Sequence, residues 1–222
     1  MSVLVYRDKH TASVAAATLF AAEMISDPSA TVGLSYHAVL EPVFDSLSAM
    51  TTNGLLNWEN VRVFQLHETL DESQSEPIFH RLGEALLSDT TVLDRNYHSP
   101  FAKEQTVAEG CTAFEEEILK LGGVDVGLLA IGADGSILNN PSGAELVPVT
   151  HVEAGENERY VTAGMTTVMR IKQLIVVAFG KESAETVQRA LRGTIDNRLP
   201  ASLLQIHANV TFILDEEAAS LL

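Results

Sequence analysis

The segment VDVGLLAIGADGSILNNPSG, residues 124–143, contains the clearest structural pattern in the chain. Its residues 126–131 are apolar and partly β-branched, which is typical of a strand that is buried on both faces of a parallel sheet. The run ends at Gly132, and a turn with Asp134 and Ser136 follows. Since ligands of α/β proteins bind at the carboxyl ends of the strands, this turn is a candidate part of an active site. An ordinary strand with a solvated Asp-Gly turn explains the segment equally well.

The rest of the chain alternates between strand patterns and helix patterns. Strands are expected at residues 2–6, 31–36, 61–66, 126–131, 174–179 and 210–214. We further expect Thr11 to cap the first helix, helices over residues 103–121, 163–171 and 216–222, and a short strand near residues 147–152. The alternation predicts an α/β fold with three layers, in which a mainly parallel sheet carries helices on both faces.

The composition restricts the classes of partner. The chain has 222 residues, 46% of them hydrophobic, and no Pro-, Gly- or Ser-rich linker, so a single domain over residues 1–222 is expected. Its formal charge is −16, from 30 acidic and 14 basic residues. This charge argues against nucleic acid, whose phosphates require a basic surface, and against an anionic membrane surface.

The cysteine and hydropathy content predict a cytoplasmic protein. A single cysteine, Cys111, cannot form an internal disulfide, which fits a reducing compartment. No segment reaches the roughly 20 apolar residues of a membrane helix, and charges at residues 7–9 make the N-terminus a strand and not a signal peptide. The histidine spacing gives no support for a metal site, and no cofactor is predicted.

Several segments together resemble one protein family. Gly132-x-Asp134-Gly135 resembles a G-x-G-x-D-G-H motif, and Asn139-Asn140-Pro141 resembles the N-E-P that follows it. Residues 59–68 resemble a strand that ends in a D-E pair, and residues 199–222 resemble a P-A-S-x-L-Q-x-H … D-E-x-A-A-x-L ending. The family is that of the glucosamine-6-phosphate deaminases/isomerases and 6-phosphogluconolactonases. The resemblance implies a modified Rossmann-like fold and a sugar or sugar phosphate as the small-molecule partner.

The first departure from the family pattern is the loop after the second predicted strand. The family holds phosphate with a Gly/Ser/Thr loop, whereas this chain has Ser35, Tyr36 and His37 and no glycine. A phosphate cradle needs closely spaced backbone N–H groups and hydroxyls, and Glu41 would repel a dianion at the start of the next helix. The three loop residues remain candidate ligand-binding residues, and a phosphorylated ligand is disfavoured unless protonated His37 compensates.

The second departure is His67, which stands where the family has an Asp before Glu68. The resemblance implies that this carboxylate moves a proton between adjacent sugar carbons in the deaminases. An imidazole with its ordinary pKa of about 6.5 suits the same role. His67 or Asp134 is then the catalytic base, and Glu68 orients it. The alternative is that His67 merely lines the site.

Two further departures remove a proton relay. Ser136 replaces a His that activates water in the lactonases, and Asn140 replaces a Glu that orients this His and assists ring opening in the deaminases, as the resemblance implies. A serine hydroxyl is not a base by itself. Ser136, Asn139 and Asn140 are therefore expected to bind substrate by hydrogen bonds.

Two basic residues are candidate substrate-binding groups. Arg159 lies in a segment similar to the family's N-x-R-F-F, and Lys181 lies near its G-x-x-K lysine. The spacing differs from the family pattern at both positions. The alternative for each residue is an ordinary surface cation.

Three functions follow from these alternatives. The first is proton transfer on an amino-sugar phosphate by an isomerase or deaminase with an altered active site. The second is a sugar-binding or regulatory protein of the same fold that has lost catalysis, and the third is a 6-phosphogluconolactonase. Catalytic activity and homo-oligomeric assembly stay open at this point.

Overall fold

The structure is a computed structural model that describes residues 1–70, 76–100, 106–143, 145–147, 149–154 and 158–222, with only the backbone described at 149–154 and 158. In chain order its strands and helices are β1 (Ser2–Tyr6), α1 (Lys9–Ser26), β2 (Thr31–Leu34), α2 (Glu41–Thr52), β3 (Arg62–Gln65), β4 (His67–Thr69), α3 (Ile78–Ala85), β5 (Tyr97–His98), α4 (Val107–Lys120), β6 (Val126–Ala130), β7 (Val149–Ala154), β8 (Glu158–Ala163), α5 (Met165–Arg170), β9 (Gln173–Ala178), α6 (Ala184–Arg192) and β10 (Val210–Asp215).

Within the described residues, seven strands form one parallel sheet in the order β1-β10-β9-β6-β2-β3-β5. The first and last strands of the chain are neighbours, paired from Ser2↔Thr211 to Tyr6↔Asp215. A smaller antiparallel sheet has the order β4-β8-β7. The prediction of a mainly parallel α/β sheet is confirmed.

Helices cover both faces of the parallel sheet. Successive side chains of a strand point to opposite faces, and in β6 Leu128 packs into a buried cluster with α1, α2 and α3, whereas Leu129 packs into a cluster with α4, α5 and α6. The strands β9 and β10 divide their side chains between the same two clusters. The three-layer prediction is therefore confirmed as well.

Two local predictions near the ends of the chain were wrong. Asp8, and not Thr11, caps α1, because its Oδ1 accepts the Thr11 backbone N–H at 2.7 Å. Residues 216–222 form turns instead of a helix. The Asp215 carboxylate accepts the backbone N–H groups of Ala218 (2.8 Å) and Gly180 (3.1 and 3.0 Å), which holds the tail against the turn after β9.

The middle of the chain required two further corrections. The segment from residue 158 to residue 163 forms strand β8, whereas the sequence pattern had assigned it no strand, because its stabilising partners β4 and β7 are other segments. The long helix expected from residue 103 is α4, which begins at Val107; residues 103–105 lie outside the described residues. In the described part of the chain, no helix has the length and apolar character to cross a bilayer.

Candidate active site

A cavity of about 280 Å³ opens at the carboxyl edge of the parallel sheet. Its walls come from the loop after β2, the first residue of β4 and the turn after β6. The described lining residues are Ser35, Tyr36, His37, His67, Ala130, Gly132, Ala133, Asp134, Ser136, Leu138 and Asn139. The cavity lies at the small end of the range for ligand pockets, which suits a ligand of monosaccharide size.

His67 forms a buried wall of this cavity. The residue is 3% exposed, and its buried Nδ1 has no hydrogen-bond partner among the described residues. Burial, and secondarily the charges of His37 and Arg81, lowers its pKa to about 4, while a hydrogen bond to the Tyr36 backbone opposes this shift. Because this pKa lies well below 7, the ring is uncharged at neutral pH.

His37 is held in an uncharged form by its local geometry. Its Nδ1 accepts the Val39 backbone N–H at 3.2 Å, which starts a 3₁₀ turn over Ala38–Leu40. An acceptor nitrogen cannot carry a proton at the same time. Partial desolvation of the ring also lowers the pKa of His37, although the residue as a whole is exposed. The compensation expected from a protonated His37 is therefore opposed by both features.

The two hydroxyls of the loop after β2 are already engaged. Ser35 is 2% exposed and its hydroxyl donates to the Leu128 carbonyl at 3.1 Å. The Tyr36 hydroxyl donates to Oε1 of Glu41 at 2.6 Å. This hydrogen bond, followed by burial, raises the pKa of Tyr36 to about 12. Both residues line the cavity, but a ligand would have to compete for their hydroxyl protons.

The turn after β6 places Asp134 at the cavity rim. Gly135 donates its N–H to the Gly132 carbonyl at 2.9 Å, and Gly132 donates to the Ser136 carbonyl at 3.0 Å. The Ser136 N–H donates to Oδ1 of Asp134 at 2.9 Å. Gly135 has φ +84°, in the left-handed region that glycine adopts without strain. The turn leaves the second carboxylate oxygen of exposed Asp134 for a ligand.

Two residues further along the same wall have strained backbones. Leu138 has φ 53° and Asn139 has φ 61°, a conformation that costs about 1–2 kcal/mol for a residue with a Cβ atom. The Thr162 hydroxyl donates to the Leu138 carbonyl and helps to hold it in place. Strained backbones of this kind cluster at functional sites, and this strain brings Asn139 to the cavity wall.

Asn140 is built into the scaffold and lies outside the described cavity lining. It is fully buried, and its Nδ2 donates to the carbonyls of Ile137 and Ala163, both at 2.9 Å. Its Oδ1 has no hydrogen-bond partner in the described part of the chain. These contacts tie the turn after β6 to the end of β8. We therefore assign Asn140 a positioning role in place of the predicted contact with substrate.

Glu68 also lies outside the described lining, although it follows His67 in β4. Its carboxylate accepts the N–H groups of Thr69 (2.7 Å), Ile78 (2.7 Å) and Phe79 (3.1 Å) and the Gln65 amide (2.8 Å). Ile78 and Phe79 begin α3, whose own N-cap residue makes no side-chain bond. Glu68 is thus a helix cap from a neighbouring strand, and among the described residues it does not line this cavity together with Asp134.

The two predicted cations are not among the described residues that line the cavity. Arg159 is exposed on β8, and Lys181 is exposed in the 3₁₀ turn Lys181–Ser183 after β9. Arg81 of α3, which the sequence analysis did not single out, lies near the lining residue Tyr36 instead. The Arg81 guanidinium lies 5.5 Å from the centre of the Tyr36 ring. Nothing in the pattern of α3 distinguishes Arg81 from an ordinary surface cation.

Sequence comparison finds relatives along almost the whole chain. A family model described as glucosamine-6-phosphate isomerases/6-phosphogluconolactonase matches residues 7–213. The glucosamine-6-phosphate deaminase of Clostridium novyi is 27% identical over 239 residues, which cover 99% of both chains. That of Pseudoalteromonas translucida is 30% identical over 243 residues, which cover 100% of this chain and 90% of the relative.

Solved structures with low sequence identity share the fold. A monomeric glucosamine-6-phosphate deaminase has a TM-score of 0.93 at 24% identity and covers 100% of both chains. A 6-phosphogluconolactonase from Trypanosoma brucei has a TM-score of 0.80 at 20% identity and covers 99% of this chain and 97% of the neighbour.

Proposed function

The chain belongs to the family of glucosamine-6-phosphate isomerases and 6-phosphogluconolactonases, and from this we propose that it catalyses proton transfer between adjacent carbons of a small sugar, with His67 as the base. The observation that supports this most directly is that His67 lines the cavity and has a buried Nδ1 without a hydrogen-bond partner among the described residues. Buried polar atoms nearly always have a hydrogen-bond partner. An unpartnered nitrogen in a ring that lines a cavity therefore favours a partner that arrives when a ligand binds and the ring adjusts to it.

The pKa of His67 supports the exchange of a carboxylate for an imidazole. Burial lowers the pKa of His67 to about 4, close to the ordinary value of about 3.9 for an Asp side chain. Proton affinity at this position is thus comparable to that of the acid which the family resemblance implies there. What changes is the charge, because the resting base is neutral instead of negative.

The proposed reaction needs the open-chain sugar. The imidazole of His67 takes a proton from the carbon next to the carbonyl, the C–H electron pair forms an enediolate, and the proton returns to the former carbonyl carbon. In the same step, solvent water carries one proton from the hydroxyl of the donor carbon to the former carbonyl oxygen. An aldose and a ketose interconvert. If that carbon carries an amino group, the transfer yields an imine that water hydrolyses to a ketose and ammonia. Asp134 and Asn139, at the cavity wall, supply hydrogen-bond partners for the sugar hydroxyls.

Isotope exchange tests this proposal directly. Purified protein is incubated in D₂O with a panel of phosphorylated and unphosphorylated aldoses and amino sugars, and deuterium at the two carbons, ketose and ammonia are all measured by NMR. We expect wild-type protein to give exchange or product with at least one sugar, with a rate that is flat from about pH 5.5 to 8 because the base titrates near 4.

Matched variants identify the base. His67→Gln removes the basic nitrogen and is expected to lower the rate by about 10²–10⁴-fold, whereas His67→Asp restores a base of similar strength and keeps measurable activity. His10→Gln, at an exposed position on α1, serves as the control. Absence of exchange and product from every sugar, or full activity of His67→Gln, would contradict the proposal.

A binding function without catalysis is the second candidate, and Asn140 favours it. Its side chain is committed to two backbone carbonyls and lies outside the described lining, so assistance to ring opening from this position is lost. A sugar that raises the melting temperature of the protein without isotope exchange or product would select this second function.

A further inference from the structure

A buried glutamine lies at the point where the chain leaves the parallel sheet. Strand β3 ends at Gln65 and β4 begins at His67, so a single residue, Leu66, separates the strands of the two sheets. Strand β4 has only three residues, and these pair with β8. So few residue pairs contribute little to holding a strand in place. The position of His67 in the cavity wall therefore depends on further contacts.

The Gln65 side chain supplies such a contact. It is fully buried, and its Nε2 donates to the His67 carbonyl at 2.7 Å and to Oε2 of Glu68 at 2.8 Å. A carbonyl oxygen can only accept a hydrogen bond, so the amide nitrogen of Gln65 must face β4. Both protons of this nitrogen are thus used on the first two residues of the strand.

Tyr97 holds the other end of the Gln65 amide. Its hydroxyl donates to Oε1 of Gln65, and the residue begins β5, which pairs with β3. Burial, followed by the charge of Glu68, raises the pKa of Tyr97, so the hydroxyl keeps the proton that it donates. The ring also packs edge-on against Phe79 of α3, with the ring centres 5.4 Å apart. Tyr97, Gln65 and the start of β4 form one continuous chain of hydrogen bonds.

We propose that Gln65 and Tyr97 are positioning residues that hold His67 in the wall of the cavity. The inference rests on the proposed function, because it concerns the residue that we assign as the base. Gln65 is fully buried, so it acts on the site through the β4 residues that it binds. A displacement of about 1 Å at a catalytic group can lower the rate about 10²-fold. The hydrogen bonds should therefore matter more for the chemical step than for sugar binding.

Two substitutions remove different parts of this network. Tyr97→Phe deletes one hydroxyl and keeps the packing against Phe79. Gln65→Met keeps the length of the side chain and removes both donors. Thr51→Val is the matched control, because the Thr51 hydroxyl accepts the Trp58 Nε1–H at 2.9 Å but lies about 15 Å along α2 from its start. Circular dichroism checks each fold, and Tyr97→Phe suffices for the test if Gln65→Met does not fold.

The pKa of His67 reports its position without any requirement for turnover. It is followed by NMR on protein with ¹⁵N-labelled histidine, and the spectrum of His67→Gln identifies the signals. Release of the ring towards solvent should raise the pKa of His67 from about 4 towards its ordinary value of about 6.5. We expect a rise of about half a pH unit in Tyr97→Phe and of about one in Gln65→Met, and none in Thr51→Val.

Steady-state rates separate positioning from sugar binding. With a sugar that wild-type protein converts, we expect kcat to fall about tenfold in Tyr97→Phe and about 10²-fold in Gln65→Met, while KM stays within about threefold of wild type. Thr51→Val should match wild type in both constants. A loss that appears in KM alone would overturn the inference, since it would assign the network to sugar binding.

The outcomes separate this inference from the proposed function. An unchanged pKa of His67 in both variants, or an equal change in Thr51→Val, would overturn the inference and leave proton transfer by His67 intact. If wild-type protein converts no sugar in the panel, the proposed function fails, and the pKa measurements alone decide whether Gln65 and Tyr97 hold His67 in place.

Discussion

The buried position of His67 lowers the free energy of unfolding. Its buried Nδ1 lacks a partner, and an unsatisfied buried polar atom costs about 1–3 kcal/mol. An apolar residue of similar size would remove that cost. At the scale of a single residue, we therefore explain the unpartnered nitrogen of His67 by a hydrogen bond that forms when a ligand fills the cavity.

The burial of His67 makes stability depend on pH with a defined sign. Its pKa is about 4 in the folded protein and about 6.5 when unfolded. Between these values the unfolded chain binds a proton that the folded chain refuses, so stability falls as the pH falls from about 6.5 to 4. The loss from this group is about 3 kcal/mol. Urea unfolding at several pH values measures it.

The His67→Gln variant isolates this contribution. The pKa values of His37, His98 and His207 are lowered as well and act in the same direction in both proteins. We expect the slope of stability against pH to be shallower in His67→Gln by up to about 1.4 kcal/mol per pH unit. His10→Gln should keep the wild-type slope. An unchanged slope in His67→Gln would show that His67 is not buried as described.

Single residues also show why the site was only partly predictable. Asp134 follows a strand and His67 begins one. The positions of strands along the chain could be predicted from apolar runs. The side-chain partners of Glu68 and Asn140 lie up to 11 and 23 residues away and depend on tertiary packing. Neither polarity nor motif resemblance distinguishes a carboxylate that caps a helix from one that faces a ligand.

At the scale of elements, helix α3 depends on a cap from outside its own segment. Four N–H groups at the start of a helix lack partners within it, and Glu68 accepts two of them, from Ile78 and Phe79. The same short strand, β4, also presents His67 to the cavity. One element therefore couples the anchoring of α3 to the position of the proposed base.

Substitution of Glu68 by Gln tests this coupling. The variant loses the carboxylate charge and one acceptor oxygen at a position that is 8% exposed, which should cost about 1–3 kcal/mol of unfolding free energy. Hydrogen exchange of the Ile78 and Phe79 amides should accelerate beyond the global change. Glu84→Gln, exposed in the same helix, should stay within about 0.5 kcal/mol of wild type. Equal effects of the two substitutions would refute the capping role.

Elements built by local patterns were easier to predict than elements built by distant partners. Strands β6 and β9 could be predicted because a strand that is buried on both faces has a continuous run of apolar residues. Strand β8 exists through its pairing with β4 and β7, and no local pattern marks it. The acidic tail was expected to be helical, but the Asp215 contacts with Gly180 and Ala218 impose turns.

At the scale of the whole molecule, the sheet joins the two ends of the chain. Strand β1 pairs with β10, and β6, from the middle of the chain, lies between β9 and β2. Each face of the sheet is covered by a buried cluster that draws on the same central strands. Loss of either cluster would expose one face of the central strands, and the second cluster packs on the opposite face of these same strands. We therefore expect the described fold to unfold as a single cooperative unit.

Two probes on opposite faces of the sheet test this cooperativity. Trp58 is the only tryptophan in the sequence, is fully buried in the α1–α2 cluster and donates its Nε1–H to Thr51 at 2.9 Å. Cys111, the only cysteine, lies partly exposed on α4 on the other face, and we choose it as the site for a fluorescent label. In urea at pH 7, Trp58 fluorescence, the fluorescence of the Cys111 label and far-UV circular dichroism should give one unfolding midpoint.

As a control for the label, labelled and unlabelled protein must show the same transition by circular dichroism. Separate midpoints for the two probes would show that the two faces of the sheet unfold independently, which would contradict the prediction.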